Sequence, residues 1–211
     1  MYDLFNPYPS NIKDIKKNIQ IFNDTTLVNG LTYIPNFINE EEEVDLIKII
    51  NNQQWLADIK RRVQHYGYKY DYKARTINYS MYLGPLPSWV NIIANRLHTE
   101  KYIEEYPDQL IINEYEPGQG IANHVDCEPC FGETITSISL GSYCVMDFIN
   151  GKTKQKVEVM MEPRSLVIIN GQARHMWSHG IAQRKADVFC NQKINRSLRI
   201  SLTFRKVILK S

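Results

Sequence analysis

The chain has 211 residues, a formal net charge of +2, 43% hydrophobic residues and 23% charged residues. This length suits one sizeable core rather than two independent domains, and the balance of apolar and charged residues excludes global disorder. No apolar run approaches the ~20 residues that a helix needs to span a bilayer, and the N-terminus lacks the pattern of a signal peptide. We therefore expect a soluble, intracellular monomer with no membrane partner.

Two helices are predicted in the first half of the chain, behind an N-terminal extension of residues 1–30 that lacks clear periodicity. Asn39 precedes a run of glutamates, which predicts a helix N-cap with a reciprocal cap from Glu42. The first helix should span about residues 40–51 and the second about residues 88–99. The apolar residues expected to face the core are Val44, Leu46, Ile47 and Ile50 in the first helix and Trp89, Ile92, Ile93 and Leu97 in the second.

Between these helices, residues 60–75 have the most unusual composition in the chain. The segment holds six basic residues and one acidic residue, Asp71, so its net charge is +5. Tyr68, Tyr70 and Tyr72 alternate, and a strand or hairpin would place all three on one face. Such a face is either a stacking platform for nucleic-acid bases beside phosphate-binding charges, or an amphipathic strand whose tyrosines cover the core.

From residue 108 onward the sequence pattern predicts a succession of short β-strands, separated by turns that contain Gly and Asn. The predicted strands are Gln109–Tyr115, Glu133–Gly141, Ser142–Ile149, Lys156–Met161, Ser165–Asn170, Arg174–Trp177 and Ser197–Lys206. Short strands behind two helices indicate an α+β, mainly β fold. We expect two antiparallel sheets in a jelly-roll, the double-stranded β-helix, with the N-terminal helices packed on one sheet.

His124 and Asp126 form a His-x-Asp pair, and a second histidine, His179, follows at a distance. Side chains two positions apart on a strand point to the same face, so one imidazole and one carboxylate can bind one ion. A distant imidazole would complete the two-His-one-carboxylate triad that binds Fe(II) and leaves positions open for a co-substrate and O₂. Taken alone, each of these residues is more often an ordinary hydrogen-bonded side chain.

The predicted strand near the C-terminus alternates strictly between apolar and polar residues. The apolar set is Leu198, Ile200, Leu202 and Phe204, and the opposite set is Arg199, Ser201, Thr203 and Arg205. Two arginines on the inner side of a strand call for an anionic partner, because an unpaired buried charge is costly. A dicarboxylate would supply that partner.

These residues together resemble the AlkB family of Fe(II)- and 2-oxoglutarate-dependent dioxygenases. The family pattern of His-x-Asp, a distant His and Arg-x5-Arg falls on His124, Asp126, His179, Arg199 and Arg205. The resemblance covers roughly residues 60 to 207, and it implies one dioxygenase domain over residues 31–211 with residues 60–82 as a lid over the substrate. It also implies Fe(II), O₂ and 2-oxoglutarate, with His65 and His175 outside the metal ligands.

Asn113 and Tyr115 match the Asn-x-Tyr of the family, whose side chains contact 2-oxoglutarate. The resemblance implies that Arg199 binds the distal carboxylate of this co-substrate, that Arg205 lies nearer the metal, and that Ser201 belongs to the same site. Ser201 stands where the bacterial repair enzyme of the family has Asn. This departure indicates a chain more similar to the members that act on transfer RNA or remain uncharacterised.

The substrate implied by the resemblance is a modified base in single-stranded DNA or RNA, transfer RNA included. The enzyme would hydroxylate a C–H bond, and an N-methylated base would then release formaldehyde. The residues expected to contact this substrate are Arg61, Arg62, Tyr68, Tyr70, Tyr72, Glu128 and Arg174.

Two other functions stay open from the sequence. The same dioxygenase would act on a protein side chain or a lipid if the tyrosine-rich lid were only a surface. Alternatively, the chain would be a non-catalytic jelly-roll that binds RNA or protein, with a vestigial metal site. The presence of every ligand type speaks against this last hypothesis.

Cys127 and Cys130 have the spacing of a zinc knuckle. A structural zinc site needs four ligands, and the chain has no second Cys-x-x-Cys. Reduced thiols in a turn beside the iron site, or a redox-sensitive pair, are the favoured interpretations, because a disulfide framework is not expected in an intracellular protein.

Overall fold

The computed structural model describes residues 24–57 and 60–209. Most of the expected N-terminal extension, residues 1–23, lies outside the described residues. Within them, no helix combines the length and the apolar character that crossing a membrane requires.

The larger sheet has six strands in the order β1-β8-β5-β12-β3-β2, and every neighbouring pair is antiparallel. Consecutive strands of the chain are therefore often not neighbours in the sheet, as a jelly-roll requires. The strands are β1 (Leu31–Ile34), β2 (Val63–Tyr66), β3 (Gln109–Tyr115), β5 (Ile135–Gly141), β8 (Leu166–Ile169) and β12 (Arg199–Arg205).

The smaller sheet has four antiparallel strands in the order β4-β9-β6-β7, and the hairpin β10-β11 stands apart from both sheets. The strands are β4 (Ile121–His124), β6 (Cys144–Asn150), β7 (Lys156–Met161), β9 (Trp177–Ile181), β10 (Ala186–Phe189) and β11 (Gln192–Asn195). Two packed antiparallel sheets with helices at the N-terminal side confirm the predicted mainly β jelly-roll.

The two faces of β12 divide the interior into two regions. Ile200, Leu202 and Phe204 face the helices and join one apolar cluster. Arg199 and Arg205 alternate with them and line a cavity between the two sheets. The predicted alternation of this strand is confirmed from residue 199 onward, whereas Leu198 precedes the strand and is exposed.

Two helices cover the outer face of the larger sheet: α1 (Glu40–Asn51) and α2 (Ser88–Thr99). The predicted capping box is present, because the Asn39 side chain accepts from the Glu42 N–H and the Glu42 carboxylate accepts from the Asn39 N–H. The helices are rotated slightly from the prediction, so that Val44 and Ile92 are exposed.

Glu43 takes the inward position on α1, next to the exposed Val44. It is fully buried, and its carboxylate accepts hydrogen bonds from the Gly141 N–H and from Arg164. A charged residue is stable there because both of its oxygens have partners. Periodicity alone could not reveal those partners.

Three local predictions are wrong. The segment predicted as a strand from Arg174 begins instead as a short helix, α3 (Gly171–His175), and the strand starts only at Trp177. β4 ends at His124, so Asp126 follows the strand instead of sharing it. Residues 67–72 do not continue β2 as a strand, since Tyr68 and Asp71 form only isolated bridges.

Candidate functional site

A cavity of about 890 Å³ opens between the two sheets. Its wall combines apolar residues with polar residues from β3 and β12. Its mouth carries basic residues from the segment after residue 59. The residues of this wall that matter below are Arg61, Tyr70, Tyr72, Asn113, Tyr115, His124, Asp126, His179, Arg199, Ser201 and Arg205.

His124, Asp126 and His179 converge at one side of this cavity. Each offers one ligand atom, and these three atoms lie within 4.8 Å of one another. The centroids of the two imidazole rings are 4.6 Å apart, and the His179 Nε2 lies 3.5 Å from the Asp126 Oδ2. Two imidazoles and one carboxylate on one side of a metal leave the other coordination positions open, so this donor set fits Fe(II).

The pairing of β4 with β9 places the two histidines opposite each other. The register shifts between Ile121 and His124, and His124 lines the cavity at the end of this irregular pairing. Gly180 permits the close approach, because a Cβ there would lie 2.8 Å from the Asn123 N and 2.9 Å from the Ile121 O. The residue after His179 must therefore lack a side chain.

Both histidines are arranged so that a ring nitrogen can bind a metal. The His124 Nδ1 lies 2.9 Å from the Ala122 O. Since a carbonyl only accepts, this nitrogen carries the proton and donates it, which leaves the Nε2 lone pair for a metal. For His179, burial lowers the pKa to about 4 despite the opposing effect of Asp126, so its imidazole is neutral near pH 7.

Asp126 is ionised within the protein interior. Burial works to raise the pKa of its carboxyl group, but Arg205 above all, together with His179, outweighs burial and holds the pKa far below its usual value. The Arg205 Nη2 donates to the Asp126 Oδ1 at 2.6 Å. The second oxygen faces His179, so one carboxylate binds the arginine and remains available to a metal.

Arg199 and Arg205 satisfy only part of their hydrogen-bonding capacity with the chain itself. The Arg199 Nη2 donates to the Ser139 Oγ at 2.7 Å, and its guanidinium lies 5.5 Å from the Tyr115 ring centroid. The buried Nε and Nη1 of both arginines have no hydrogen-bond partner among the described residues. Buried guanidinium N–H groups of this kind fit an anionic carboxylate, which can accept from several of them at once.

The expected co-substrate residues all line the cavity. The side-chain oxygen of Asn113 accepts from the Arg61 Nε at 2.8 Å, which leaves the amide nitrogen of Asn113 available to a ligand. The Ser201 hydroxyl lies 2.9 Å from the Ser137 hydroxyl on the neighbouring strand. All five residues are positioned to contact a ligand in the cavity, and their roles in binding 2-oxoglutarate stay predictions. The five are Asn113, Tyr115, Arg199, Ser201 and Arg205.

The expected substrate residues separate into two groups. Arg61, Tyr70 and Tyr72 lie on the cavity wall. The rings of Tyr70 and Tyr72 meet edge to face at 5.1 Å, and the buried Tyr72 hydroxyl has no hydrogen-bond partner within the described chain. A buried hydroxyl on a cavity wall is available to a polar ligand.

Four expected substrate residues lie away from this wall: Arg62, Tyr68, Glu128 and Arg174. The Arg62 guanidinium forms a bidentate ion pair with the buried Glu114 and lies over the Trp55 ring. Tyr68 instead packs against Tyr82, outside the cavity. The spacing of charges and tyrosines along the chain could not reveal these partners, because they come from distant segments.

Glu128 and His175 form an ion pair on the protein surface. The two ring nitrogens of His175 each lie 3.0 Å from a carboxylate oxygen, one of Glu128 and one of Glu133. These carboxylates, led by Glu133, raise the pKa of His175. His175 therefore lies outside the metal cluster, as predicted, and so does His65, which is buried on β2.

Arg174 lies beneath the metal cluster rather than on the cavity wall. It is 2% exposed, and its guanidinium donates to the Asp126 O at 2.8 Å and to the Cys127 O at 3.3 Å. Arg174 belongs to α3, which leads directly into β9 and His179. One guanidinium thus ties the loop that carries Asp126 to the segment that positions His179.

Cys127 and Cys130, in the turn after Asp126, are joined by a disulfide bond. This finding corrects the prediction of reduced thiols, is compatible with the alternative of a redox-sensitive pair, and leaves neither sulfur as a thiolate ligand for zinc. Sequence spacing alone cannot distinguish these states, since a disulfide and a metal site both need two close sulfurs.

Comparison with known proteins agrees with this geometry. Residues 48–205 match the family model of the 2OG-Fe(II) oxygenase superfamily. The chain belongs to this superfamily. The matched residues include the whole metal cluster and both arginines of β12, so the 2OG-Fe(II) oxygenase assignment rests on the part of the chain that forms the cavity.

The chain is similar to two relatives, one of which is an AlkB homologue. It is 37% identical over 184 residues to the uncharacterized protein L905 of Acanthamoeba polyphaga mimivirus, and the match covers 86% of each chain. It is 38% identical over 202 residues to a mouse protein named tRNA (carboxymethyluridine(34)-5-O)-methyltransferase ALKBH8. That match covers 84% of this chain but only 30% of the mouse protein.

Solved structures show the same fold at low sequence identity. The structure of OsALKBH1 superposes with a TM-score of 0.63 at 17% identity, covering 84% of this oxygenase and 98% of that chain. An oxidoreductase of the 2OG-Fe(II) oxygenase family from Burkholderia pseudomallei gives a TM-score of 0.59 at 12% identity. That match covers 86% of this oxygenase and 85% of the other chain.

We predict that Gly180→Ala separates β4 from β9 and disrupts the metal cluster of this oxygenase. The added methyl group must displace backbone atoms, which costs about 1–3 kcal/mol of folding free energy. Calorimetric titration with Mn²⁺ in place of Fe(II) should then show weaker metal binding. Gly151→Ala is the matched control, because the nearest atom to its Cβ lies at an ordinary 3.4 Å. Equal metal affinity of both variants would contradict this role of Gly180.

We also predict that Arg174→Met weakens metal binding about 10- to 100-fold, the usual effect of removing a residue that holds a ligand in place. The measurement is again Mn²⁺ titration, with the melting temperature recorded for each variant. Arg164→Met is the control, because Arg164 is an arginine with an 11% exposed side chain that pairs with the buried Glu43 on the far side of the sheet. It should lower stability while metal affinity stays unchanged. A loss of stability alone in Arg174→Met would reduce Arg174 to a structural role.

Proposed function

We propose that the chain is an Fe(II)- and 2-oxoglutarate-dependent dioxygenase that oxidises modified bases in single-stranded nucleic acid. The observation that carries this proposal is the convergence of two imidazoles, one ionised carboxylate and two incompletely bonded arginines in one cavity. A non-catalytic module gains nothing from such a costly arrangement of buried charge.

His124, Asp126 and His179 would hold the iron, which supplies O₂ activation coupled to oxidation of 2-oxoglutarate when both are bound. Arg199 would bind the distal carboxylate of the co-substrate, because it lines the cavity and its buried Nε and Nη1 have no partner among the described residues. Arg205 keeps Asp126 ionised and is the nearer guanidinium to the metal.

A flat aromatic ring is the ligand that fits the rest of the wall. Tyr70 and Tyr72 offer ring surfaces, and the orphan Tyr72 hydroxyl can pair with a polar edge of a base. Arg61 and Arg75 give the mouth a positive charge that suits a phosphate backbone. These features favour a base over a lipid, whose apolar chain would leave the buried Tyr72 hydroxyl without a partner.

The names of similar proteins support a nucleic-acid substrate in general terms. One relative, 28% identical over 185 residues, is named a DNA N6-methyl adenine demethylase of Caenorhabditis elegans, and the mouse relative is named for a transfer RNA. The methyltransferase activity in the mouse name is not proposed here, because this chain spans 30% of that protein.

The decisive experiment is mass-spectrometric analysis of products from methylated oligonucleotides and transfer RNA, incubated with Fe(II), 2-oxoglutarate and O₂. We expect loss or hydroxylation of the modification together with formation of succinate. His179→Ala should abolish turnover, whereas His175→Ala should retain it. Turnover that survives in His179→Ala and disappears in His175→Ala would overturn the ligand assignment. Oxidation of peptides in a parallel panel, with no oxidation of any nucleic acid, would favour the alternative that the enzyme acts on a protein side chain.

We predict that Arg199→Lys raises the KM for 2-oxoglutarate roughly 10-fold or more, since an ammonium group cannot form the two parallel hydrogen bonds of a guanidinium with a carboxylate. The KM for iron should stay unchanged, because Arg199 does not contact the metal cluster. Steady-state kinetics of uncoupled 2-oxoglutarate turnover measures both constants. An unchanged KM for the co-substrate would place it elsewhere in the cavity.

A further inference from the structure

The segment Tyr79–Leu83 exposes an unusual amount of aromatic and apolar surface. Tyr79 is 67% exposed, Tyr82 52% and Leu83 56%. The Tyr82 ring packs against Tyr68, with centroids 4.9 Å apart and planes inclined by 48°. Tyr68, Tyr79 and Tyr82 together form a surface that we call the outer tyrosine platform. None of the three lines the cavity.

The backbone holds this platform in a defined position. The Lys69 N–H donates to the Met81 O at 2.9 Å, and the Leu83 N–H donates to the Gly67 O at 2.8 Å. The Asn78 side chain caps the intervening turn by accepting from the Ser80 N–H at 2.9 Å. Aromatic rings on a fixed backbone bind a planar partner at low entropic cost, because little freedom remains to be lost.

The outer tyrosine platform is continuous with the cavity wall through the chain itself. Tyr68 lies two residues before Tyr70, whose ring contacts Tyr72 inside the cavity. The chain turns between them, so the tyrosines run from the cavity to the outside of the lid. A single-stranded nucleic acid with one base in the cavity would therefore have its neighbouring bases close to these tyrosines.

The charge around the platform suits a polyanion. No Asp or Glu occurs between residues 72 and 99, whereas Lys73 and Arg75 are both exposed in this stretch. Arg75 also lines the cavity mouth. Asp108 comes close to Tyr68 from another segment, but its carboxylate is paired with Lys206 at 2.9 Å. Exposed aromatic rings beside cations are the combination that binds single-stranded nucleic acid with little regard to sequence.

We propose that the outer tyrosine platform stacks the bases that flank the one in the cavity, so that the enzyme binds a single-stranded segment of several nucleotides. This inference rests on the proposed function and adds a second contact surface to it. It assigns Tyr68, Tyr79 and Tyr82 to flanking bases, while Tyr70 and Tyr72 serve the base that reacts.

The test compares binding and turnover for two lengths of the same substrate. Fluorescein-labelled single strands of about nine nucleotides and of about two nucleotides, each with one N-methylated adenine, are prepared as RNA and as DNA. Fluorescence anisotropy gives the affinity of the holoenzyme with Mn²⁺ and 2-oxoglutarate. Product formation with Fe(II) gives kcat/KM, and the melting temperature is recorded for every variant.

Tyr79→Ala/Tyr82→Ala should bind the longer strand about 5- to 100-fold more weakly, the usual loss for a stacked base. Binding and turnover of the shorter strand should stay unchanged, and so should the salt dependence of binding, because stacking releases no counterions. Tyr79→Phe/Tyr82→Phe should restore wild-type affinity, since the ring and not the hydroxyl makes the contact. Ile92→Ala is the control, because Ile92 is 66% exposed on α2.

The outcomes separate this inference from the proposed function. If the wild type oxidises both strands and the double alanine variant binds each strand as tightly as the wild type does, the platform has no role. The proposed dioxygenase function is then unaffected. If the wild type binds and oxidises no nucleic acid, both fail together. Loss of affinity in the phenylalanine variant as well would point to hydrogen bonding and overturn the stacking role. Should the double alanine variant melt early, Tyr79→Ala alone repeats the comparison, since Tyr79 is the most exposed ring.

Discussion

The ion pair between Asp126 and Arg205 is the contact on which the rest of the site depends. Asp126 is buried and the Arg205 side chain is only 12% exposed, and an isolated charge in such a place would cost several kcal/mol. Because the carboxylate is held ionised by the arginine, its other oxygen can face the two histidines. The pair thereby links β12, which carries the arginines, to the loop after β4, which carries one metal ligand.

The jelly-roll supplies this contact with a rigid frame. β12 lies in the middle of the larger sheet, with β3 on one side and β5 on the other. Its apolar face is covered by the helices, so its polar face must point into the space between the sheets. Arg174 adds a second tie from below, where its guanidinium joins the Asp126 loop to the helix that leads into β9. The cluster of His124, Asp126 and His179 is thus held from two sides by guanidinium groups that bind Asp126.

The lid carries two sets of tyrosines with different surroundings. Tyr70 and Tyr72 face the cavity, whereas Tyr68 and Tyr82 pack against each other outside it. The turn between Tyr68 and Tyr70 breaks the alternation that a regular strand would impose. The same chain segment therefore offers rings to the interior of the site and to its approach.

The sequence by itself determined the class of fold and the chemistry of the site. Strict alternation from Arg199 to Arg205 predicted which side chains share a face, because strand geometry depends on neighbours in the chain. The capping box at Asn39 was predictable for the same reason. His124, Asp126 and His179 were recognisable by residue type and spacing, although the strand expected to hold the first two ends at His124.

Only the tertiary structure decided how distant segments share their charges and surfaces. Arg62 and Arg174 were predicted to contact the substrate. In the structure, Arg62 instead pairs with Glu114, and Arg174 donates to backbone carbonyls. Glu43 replaced Val44 on the inner face of α1 because Arg164 lies opposite it. An ionic or hydrogen-bonding partner from elsewhere in the chain can outweigh the local preference of a residue, and no local pattern encodes where that partner will lie.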